Sequence, residues 1–439
     1  MNHSLNIIID KIKGHRGFRK VFTNTTWLFA QRAIRAVVGL FVGVWVARYL
    51  GPQGFGALSY AVAFVFIFNA FAVLGLESVV IRDIVRDPDA KNELLGTAFA
   101  LRLIAGVVTF LCVCALILIF RKGDSAVIWM VCIIAFGYIF QSFDTIDYYF
   151  KSQVLSKYSV FSKTGAFLLI SILKVALILL GAPLTAFAWT FLFEIILGSV
   201  FLIAAYSANR NDIRQWRFDR AAALGLIKDS WPLIFSGLFV LLYMRIDQIM
   251  LGNMAGDSAV GQYSAAVRVS EMLFFIPVAV TISVFPAIVR SRERDEAVYM
   301  SRLQRLYDFL AWSALALSAV IAVFSGPLIH VLFGSEYAAA GAILAVHVWS
   351  CLFVFLCIAS YQQLMAENLT KVVFIRTAAG AGVNILLNFV LIPRFGGVGA
   401  AAATVVSYFV MILLTGVNDK ARINYTLFLN TLNIKRLRS

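Results

Sequence analysis

Arg32 and Arg35 stand three residues apart in WLFAQRAIRAVVGLFVGVWVARYL, an apolar stretch long enough to cross a bilayer. Arg245 and Asp247 occupy LLYMRIDQIMLG, and Arg268 and Glu271 occupy YSAAVRVSEMLFF, two further apolar stretches. An arginine at the centre of a membrane helix costs roughly 2.5–3.5 kcal/mol on insertion scales, so each of these must meet a partner or water. A spacing of three puts Arg32 and Arg35 on one helix face. Guanidinium stays charged and presents a planar fork of donors to phosphate oxygens, so Arg32, Arg35, Arg245 and Arg268 converging on one place would bind a phosphate or pyrophosphate. The acidic residues Glu77, Asp247 and Glu271 are candidates for ion coupling or gating. A structural reading stands beside this one. Arg268 and Glu271 at i, i+3 can neutralise each other, and Asp247 can hold an arginine of a neighbouring helix.

Other ionisable groups carry less. Lys174 and Glu194 are expected to form a structural ion pair, and Asp144 and Asp147 with Tyr148 and Tyr149 read as interfacial groups at the inner end of a helix. There is no Gly-x-x-x-x-Gly-Lys-Ser/Thr loop, so direct drive by ATP is not expected. His3, His15, His330 and His347 are scattered without metal-ligand spacing. Cys112, Cys114, Cys132, Cys351 and Cys357 all sit in apolar runs, where they act as small hydrophobes. No cofactor, metal or catalytic residue is expected, and the protein is not read as an enzyme.

These side chains have to be positioned by membrane helices. The chain is 61% hydrophobic and 14% charged, whereas soluble domains carry about 25% charged residues. Apolar periodicity and turn signals place helices at 23–48, 56–80, 96–120, 126–150, 159–181, 184–206, 231–251, 262–289, 304–325, 341–365, 372–392 and 397–418. The fold class expected is an all-α polytopic membrane protein of about twelve spans, in two six-helix bundles related by a pseudo-twofold along the membrane normal. The halves are 1–206 and 231–418, joined by a linker at 207–230 and followed by a basic tail at 419–439.

The net charge of +15 follows from topology. Arg32, Arg35, Arg102, Lys174, Arg245 and Arg268 lie inside spans, and only Arg48, Arg121, Lys122 and Arg394 fall on one side. All the other lysines and arginines fall on the opposite side, which makes that side cytoplasmic and places both termini there. A nucleic-acid partner is not needed to explain the basic balance. The segments on the outer side, around Gly181, 252–261 and 326–337, are too short for a folded domain that would carry catalysis.

An internal echo supports the division into halves. Leu50-Gly51 followed by Gly56-Ala57-Leu58-Ser59-Tyr60-Ala61 recurs as Leu251-Gly252 followed by Gly261-Gln262-Tyr263-Ser264-Ala265-Ala266. Each copy joins the first and second helix of its half, and six helices per half make the repeat parallel. Helices one, two, seven and eight are then expected to border a common cavity lined by the four arginines. The Gly-rich RFGGVGAAAATVVS is read as a surface for close helix packing.

WLFAQRAIRAVVGLFVGVWVARYLGPQGFGALSYAVAFV resembles the opening of the polysaccharide biosynthesis family, which comprises Wzx-type flippases of the multidrug/oligosaccharidyl-lipid/polysaccharide (MOP) superfamily. NILLNFVLIPRFGGVGAAAATVVSY resembles its penultimate hairpin. The resemblance implies a central cationic cavity and alternating access. It implies a flippase that moves undecaprenyl-pyrophosphate-linked oligosaccharide to the outer leaflet of the bacterial inner membrane for O-antigen or exopolysaccharide assembly. Arg32 or Arg35, Arg245 and Arg268 would serve the pyrophosphate. Membrane lipids, a coupling ion (H+ or Na+) and the pathway's polymerase and chain-length proteins are the partners implied. A multidrug exporter of the same superfamily, a membrane-bound polymerase or ligase, and a scaffold of a glycan-assembly complex are the rival readings.

Overall fold

The structure is a computed structural model, and it describes residues 15–292, 295–419 and 421–432. The basic residues Lys11, Lys13, Arg294, Lys420, Lys435, Arg436 and Arg438 lie outside the described residues, as does most of the expected basic tail. Among the described residues the chain is helical and has no strand.

Glycine fixes where the long helices break. Helix α1 (His15–Val73) is interrupted at Gly51, whose φ of 64° is in the left-handed region. Pro52 then opens the continuing helix, at the position where a missing N–H leaves no bond unmade. Leu74 and Gly75, both with positive φ, separate α1 from α2 (Leu76–Arg86). The apolar span Asn24–Arg86 has 63 residues, about 95 Å of helix at 1.5 Å per residue, against a hydrocarbon core of about 30 Å. It is therefore two crossings that turn near Gly51. Thr370–Val417, with 48 residues, is likewise divided at Gly396 in α15 (Thr370–Leu413). Dividing these two turns the ten candidate spans among the described residues into twelve, one of them bent by 49° between Ser335–His347 and Ser350–Ala366. Among the described residues the helices have the lengths and composition of the expected all-α, twelve-span membrane fold.

The remaining helices are α3 (Lys91–Phe120), α4 (Ser125–Phe140), α5 (Thr145–Ser152), α6 (Ser156–Leu179), α7 (Leu184–Ala208), α8 (Arg220–Met254), α9 (Asp257–Met272) and α10 (Phe275–Arg292). They continue with α11 (Glu296–Val323), α12 (Ser325–Phe333), α13 (Ala338–His347), α14 (Ser350–Ala366) and α16 (Arg422–Leu432). Helix α8 begins at Arg220, well before the expected start of its span, and α16 lies beyond the last expected one.

The chain forms two compact units, residues 1–42 with 68–237 and residues 43–67 with 238–439. In the first unit α6 packs on α7, α3 on α4, and α4 on α7. Leu76, Val80, Leu95, Ile146, Phe150 and Tyr206 form a buried cluster that ties α2, α3, α5 and α7 together. A 3-10 turn at Gln141–Asp144 separates α4 from α5 within one span, a feature often found where a helix carries function.

In the second unit α9 packs on α13, α14 on α15, and α11 on α14. The segment 43–67 joins this unit through polar and close contacts. The Tyr337 hydroxyl donates to the Ala47 carbonyl (2.8 Å), the Tyr60 hydroxyl to Asn253 (3.1 Å), and Arg48 to the carbonyls of Val331 and Leu332. Helix α16 sits in a polar socket. Asn424 accepts from the Tyr307 hydroxyl (2.6 Å) and donates to Gln363 (2.9 Å), while Thr431 bonds Asp308 (2.7 Å).

Candidate functional site

The structure gives the four intramembrane arginines different surroundings. Arg32 is exposed on α1 and has no ion pair among the described residues. Arg35, one turn on, is engaged: its guanidinium pairs with Glu194 (3.0 Å), donates to the Lys163 carbonyl (3.1 Å) and lies over the Phe167 ring. Sharing a face has thus not given the two a shared role. Glu194 takes Arg35 as a partner.

Arg245 and Arg268 lie in the second unit. Arg245 makes a two-pronged contact with Glu271, at 3.1 and 3.4 Å, and rests over Phe66. Glu271 is therefore the contact partner of Arg245 on the next helix, and it acts on Arg268 only at longer range, so the alternative of a direct Arg268–Glu271 ion pair is not formed among the described residues. Arg268 lies over the Phe55 ring and has no carboxylate partner among the described residues. Gly43 makes its room, because a Cβ there would fall on the Arg268 guanidinium.

Asp247 holds no arginine. It is 3% exposed, and it accepts from Tyr263 Oη (2.7 Å), Thr404 Oγ1 (2.7 Å) and Asn388 Nδ2 (2.5 Å). Asn388 also reaches the Asn384 side-chain oxygen (3.0 Å), and the Thr404 hydroxyl lies 3.0 Å from the Ala400 carbonyl. Among the described residues Asn388 Oδ1 is buried without a hydrogen-bond partner. Carboxylate, carboxamide, hydroxyl and carbonyl oxygens thus gather on α8 and the two halves of α15. That is the donor set of a hard cation, and the carboxylate can equally take a proton. Among the described residues no cluster of three His, Cys, Asp or Glu has metal-site geometry.

Tyr263, Asn384, Asn388 and Thr404 were not singled out from sequence. The available signal was two asparagines four residues apart in an apolar run, which puts both on one helix face. Thr404 lay hidden in the Gly/Ala-rich stretch read as packing.

Glu77 at the start of α2 belongs to an ionic network of the first unit. Lys151 bridges Glu77 (2.6 Å) and Asp147 (3.1 Å), and Lys163 bridges Asp147 (3.0 Å) and Asp144 (2.9 Å). The buried Arg102 donates to the Tyr148 hydroxyl (2.9 Å) and lies 4.0 Å from Asp144. Asp147 and Tyr148 are thus buried within the first unit, and Asp144 is partly buried. Glu77 also borders a cavity of about 650 Å³ with Val73, Gly75, Ser78, Ile81, Arg82 and Leu233.

The fold is similar to that of solved proteins of the MOP superfamily. The lipid II flippase MurJ in an inward closed conformation superposes with a TM-score of 0.72 over 92% of this chain and 90% of MurJ, at 16% identity. The family model described as polysaccharide biosynthesis protein matches residues 21–292, and the MatE model matches residues 232–390. The chain belongs to the polysaccharide biosynthesis protein family. It is 29% identical over 252 residues to the probable flippase AglR of Haloferax volcanii, a match that spans 55% of this chain and only 50% of AglR. It is 20% identical over 403 residues to the capsular polysaccharide biosynthesis protein CapF of Staphylococcus aureus, covering 89% of this chain and 97% of CapF.

Proposed function

We propose that this protein is a flippase for undecaprenyl-pyrophosphate-linked oligosaccharide repeat units, moving them from the cytoplasmic to the outer leaflet of a bacterial cytoplasmic membrane by alternating access. The family and the names of AglR and CapF support a polysaccharide flippase. The observation that carries the finer reading is Arg268, a guanidinium inside an apolar helix with an aromatic ring beneath it, a glycine making room for it, and no carboxylate partner among the described residues. Such a charge suits an anionic headgroup. Arg245, in the same unit, reaches the substrate by releasing Glu271; in the first unit Arg32, without an ion pair among the described residues, and Arg35, on releasing Glu194, are proposed as phosphate ligands in their own right. The distribution of lysine and arginine supports cytoplasmic termini.

Asp247, in its cage with Tyr263, Asn384, Asn388 and Thr404, is the proposed site of the coupling ion, Na+ or a proton. Glu77 and Glu271 act as gates through their pairs with Lys151 and Arg245. Reconstitution in liposomes with a fluorescent undecaprenyl-pyrophosphate-linked sugar tests the whole reading. Accessibility of the sugar to an external quencher should rise with wild-type protein and remain at the background rate with Arg268→Ala. A background rate with wild-type protein sinks the proposal. The MatE match favours a second reading as a drug exporter, and a deletion strain with unchanged drug sensitivity and lost surface glycan excludes it.

A further inference from the structure

Helices α10 and α11 of the second unit leave a trough between them, a cavity of about 660 Å³ lined by Ala279, Ser283, Ala287, Ile288, Leu306 and Phe309 among others. The short side chains Ala279, Ser283 and Ala287 recur every four residues on α10 and set the floor. On α11, Leu306 and Phe309 form the opposing wall, and Phe309 is 56% exposed. Arg302 and Arg305 close one end. The Arg302 guanidinium leans across to the Ala287 carbonyl at 3.5 Å, and both arginines are exposed. Among the described residues neither has a carboxylate partner, whereas Arg292 nearby is paired with Glu367.

We propose that this trough is a binding site for an anionic phospholipid, separate from the transported substrate. One acyl chain lies along the trough and the phosphate sits between Arg302 and Arg305. The chemistry of the lining is the argument. The walls and floor are almost wholly apolar, which suits a hydrocarbon chain, and the charge is confined to the end from which the first turns of α11 rise. Two arginines about one turn apart can grip one phosphate with paired donors. Lipid recognition by a basic cluster at the edge of a span follows the same electrostatics. The assignment is independent of the transport reading, because none of these residues belongs to the arginine or Asp247 sites.

Native mass spectrometry of the full-length protein in detergent, with palmitoyl-oleoyl phosphatidylglycerol or phosphatidylcholine added, tests it. Wild-type protein should retain phosphatidylglycerol in preference to phosphatidylcholine. The double variant Arg302→Ala with Arg305→Ala should retain about thirtyfold less, as expected for the loss of two juxtamembrane charges. A second variant, Ser283→Leu with Ala287→Leu, fills the trough and keeps both arginines, and it should also lose the lipid. Melting temperatures identify variants that are folded, and the two variant sets perturb different helices. Equal retention of both lipids by wild-type protein, or full retention by either folded variant, overturns the proposal. So does displacement of the lipid by millimolar inorganic phosphate alone, or a preference for undecaprenyl phosphate over phosphatidylglycerol at the same residues.

Discussion

Gly56 and Gly261 are reciprocal. A Cβ on Gly56 would fall on the carbonyl oxygen of Asp257, and a Cβ on Gly261 would fall on the carbonyl oxygen of Pro52. Pro52 lies four residues before Gly56, and Asp257 lies four before Gly261, so each glycine receives the first turn of the other's helix. The echo seen in the sequence between Gly56-Ala57 and Gly261-Gln262 therefore marks two segments that touch, both within the second unit.

Gly56→Val and Gly261→Val should each destabilise the protein by about 1–3 kcal/mol, the usual cost of forcing side-chain volume into a packed contact. Backbone on the far side cannot swing away as a side chain would. A drop in melting temperature of the purified protein for both, and for Gly225→Ala no drop, since alanine favours a helix over glycine, is the expected pattern. Gly225 has open space at its Cβ position.

Arg245 and Glu271 should be energetically coupled. Each single alanine variant strips the other of its partner in a setting where the side chains are 22% and 27% exposed. A double-mutant cycle in thermal stability should give a coupling of about 0.5–3 kcal/mol. Arg268→Ala should instead leave stability within about 1 kcal/mol of wild type and abolish glycan export, because no ion pair is broken.

Substituting K+ for Na+ should lower the melting temperature if the Asp247 cage holds Na+, by as much as about 2.7 kcal/mol equivalent at a hundredfold excess over Kd. Asp247→Asn and Thr404→Val should abolish that dependence. If neither the cation nor pH alters the stability of wild-type protein differently from that of these variants, Asp247 is not the coupling site.

Lys163→Met should cost more stability than Lys151→Met. Lys163 stands between Asp144 and Asp147, and its removal leaves Asp147 with Lys151 alone and Asp144 with only the 4.0 Å contact to Arg102. Loss of Lys151 strands Glu77, whose side chain is 49% exposed and can take water instead. The difference should be about 1–3 kcal/mol, the cost of stranding a buried polar group, read from chemical denaturation in mild detergent.

Asn424→Ala removes the partner of both Tyr307 and Gln363, groups buried beneath α16. A loss of about 1–3 kcal/mol in docking should appear as faster proteolytic cleavage between residues 418 and 432, with the membrane-spanning core unaltered.

The helix pattern was legible because apolar run length and Gly/Pro breaks decide it locally. Gly51-Pro52 and Gly396 show as turns in composition, and the breaks are at those residues. Pairing was not legible. Glu271 is three residues from Arg268 along one helix and twenty-six from Arg245, yet it turns to Arg245. Helix rotation and the place that Gly43 leaves for Arg268 decide this, and neither is local. The oxygen cage was missed for a related reason. Asp247, Asn384, Asn388 and Thr404 are brought together only by the packing of α8 against both halves of α15, and single polar residues in apolar runs give no warning of their neighbours.

The socket beneath α16 has a consequence for how the chain is made. Tyr307, Gln363 and Gln304 are inserted early with polar groups facing a place that Asn424, Leu427, Asn430 and Thr431 will fill. Until the ribosome has supplied residues 422–432, the second unit is an unfinished nest of thirsty amides and hydroxyls, and quality-control proteases have their best opportunity in that interval.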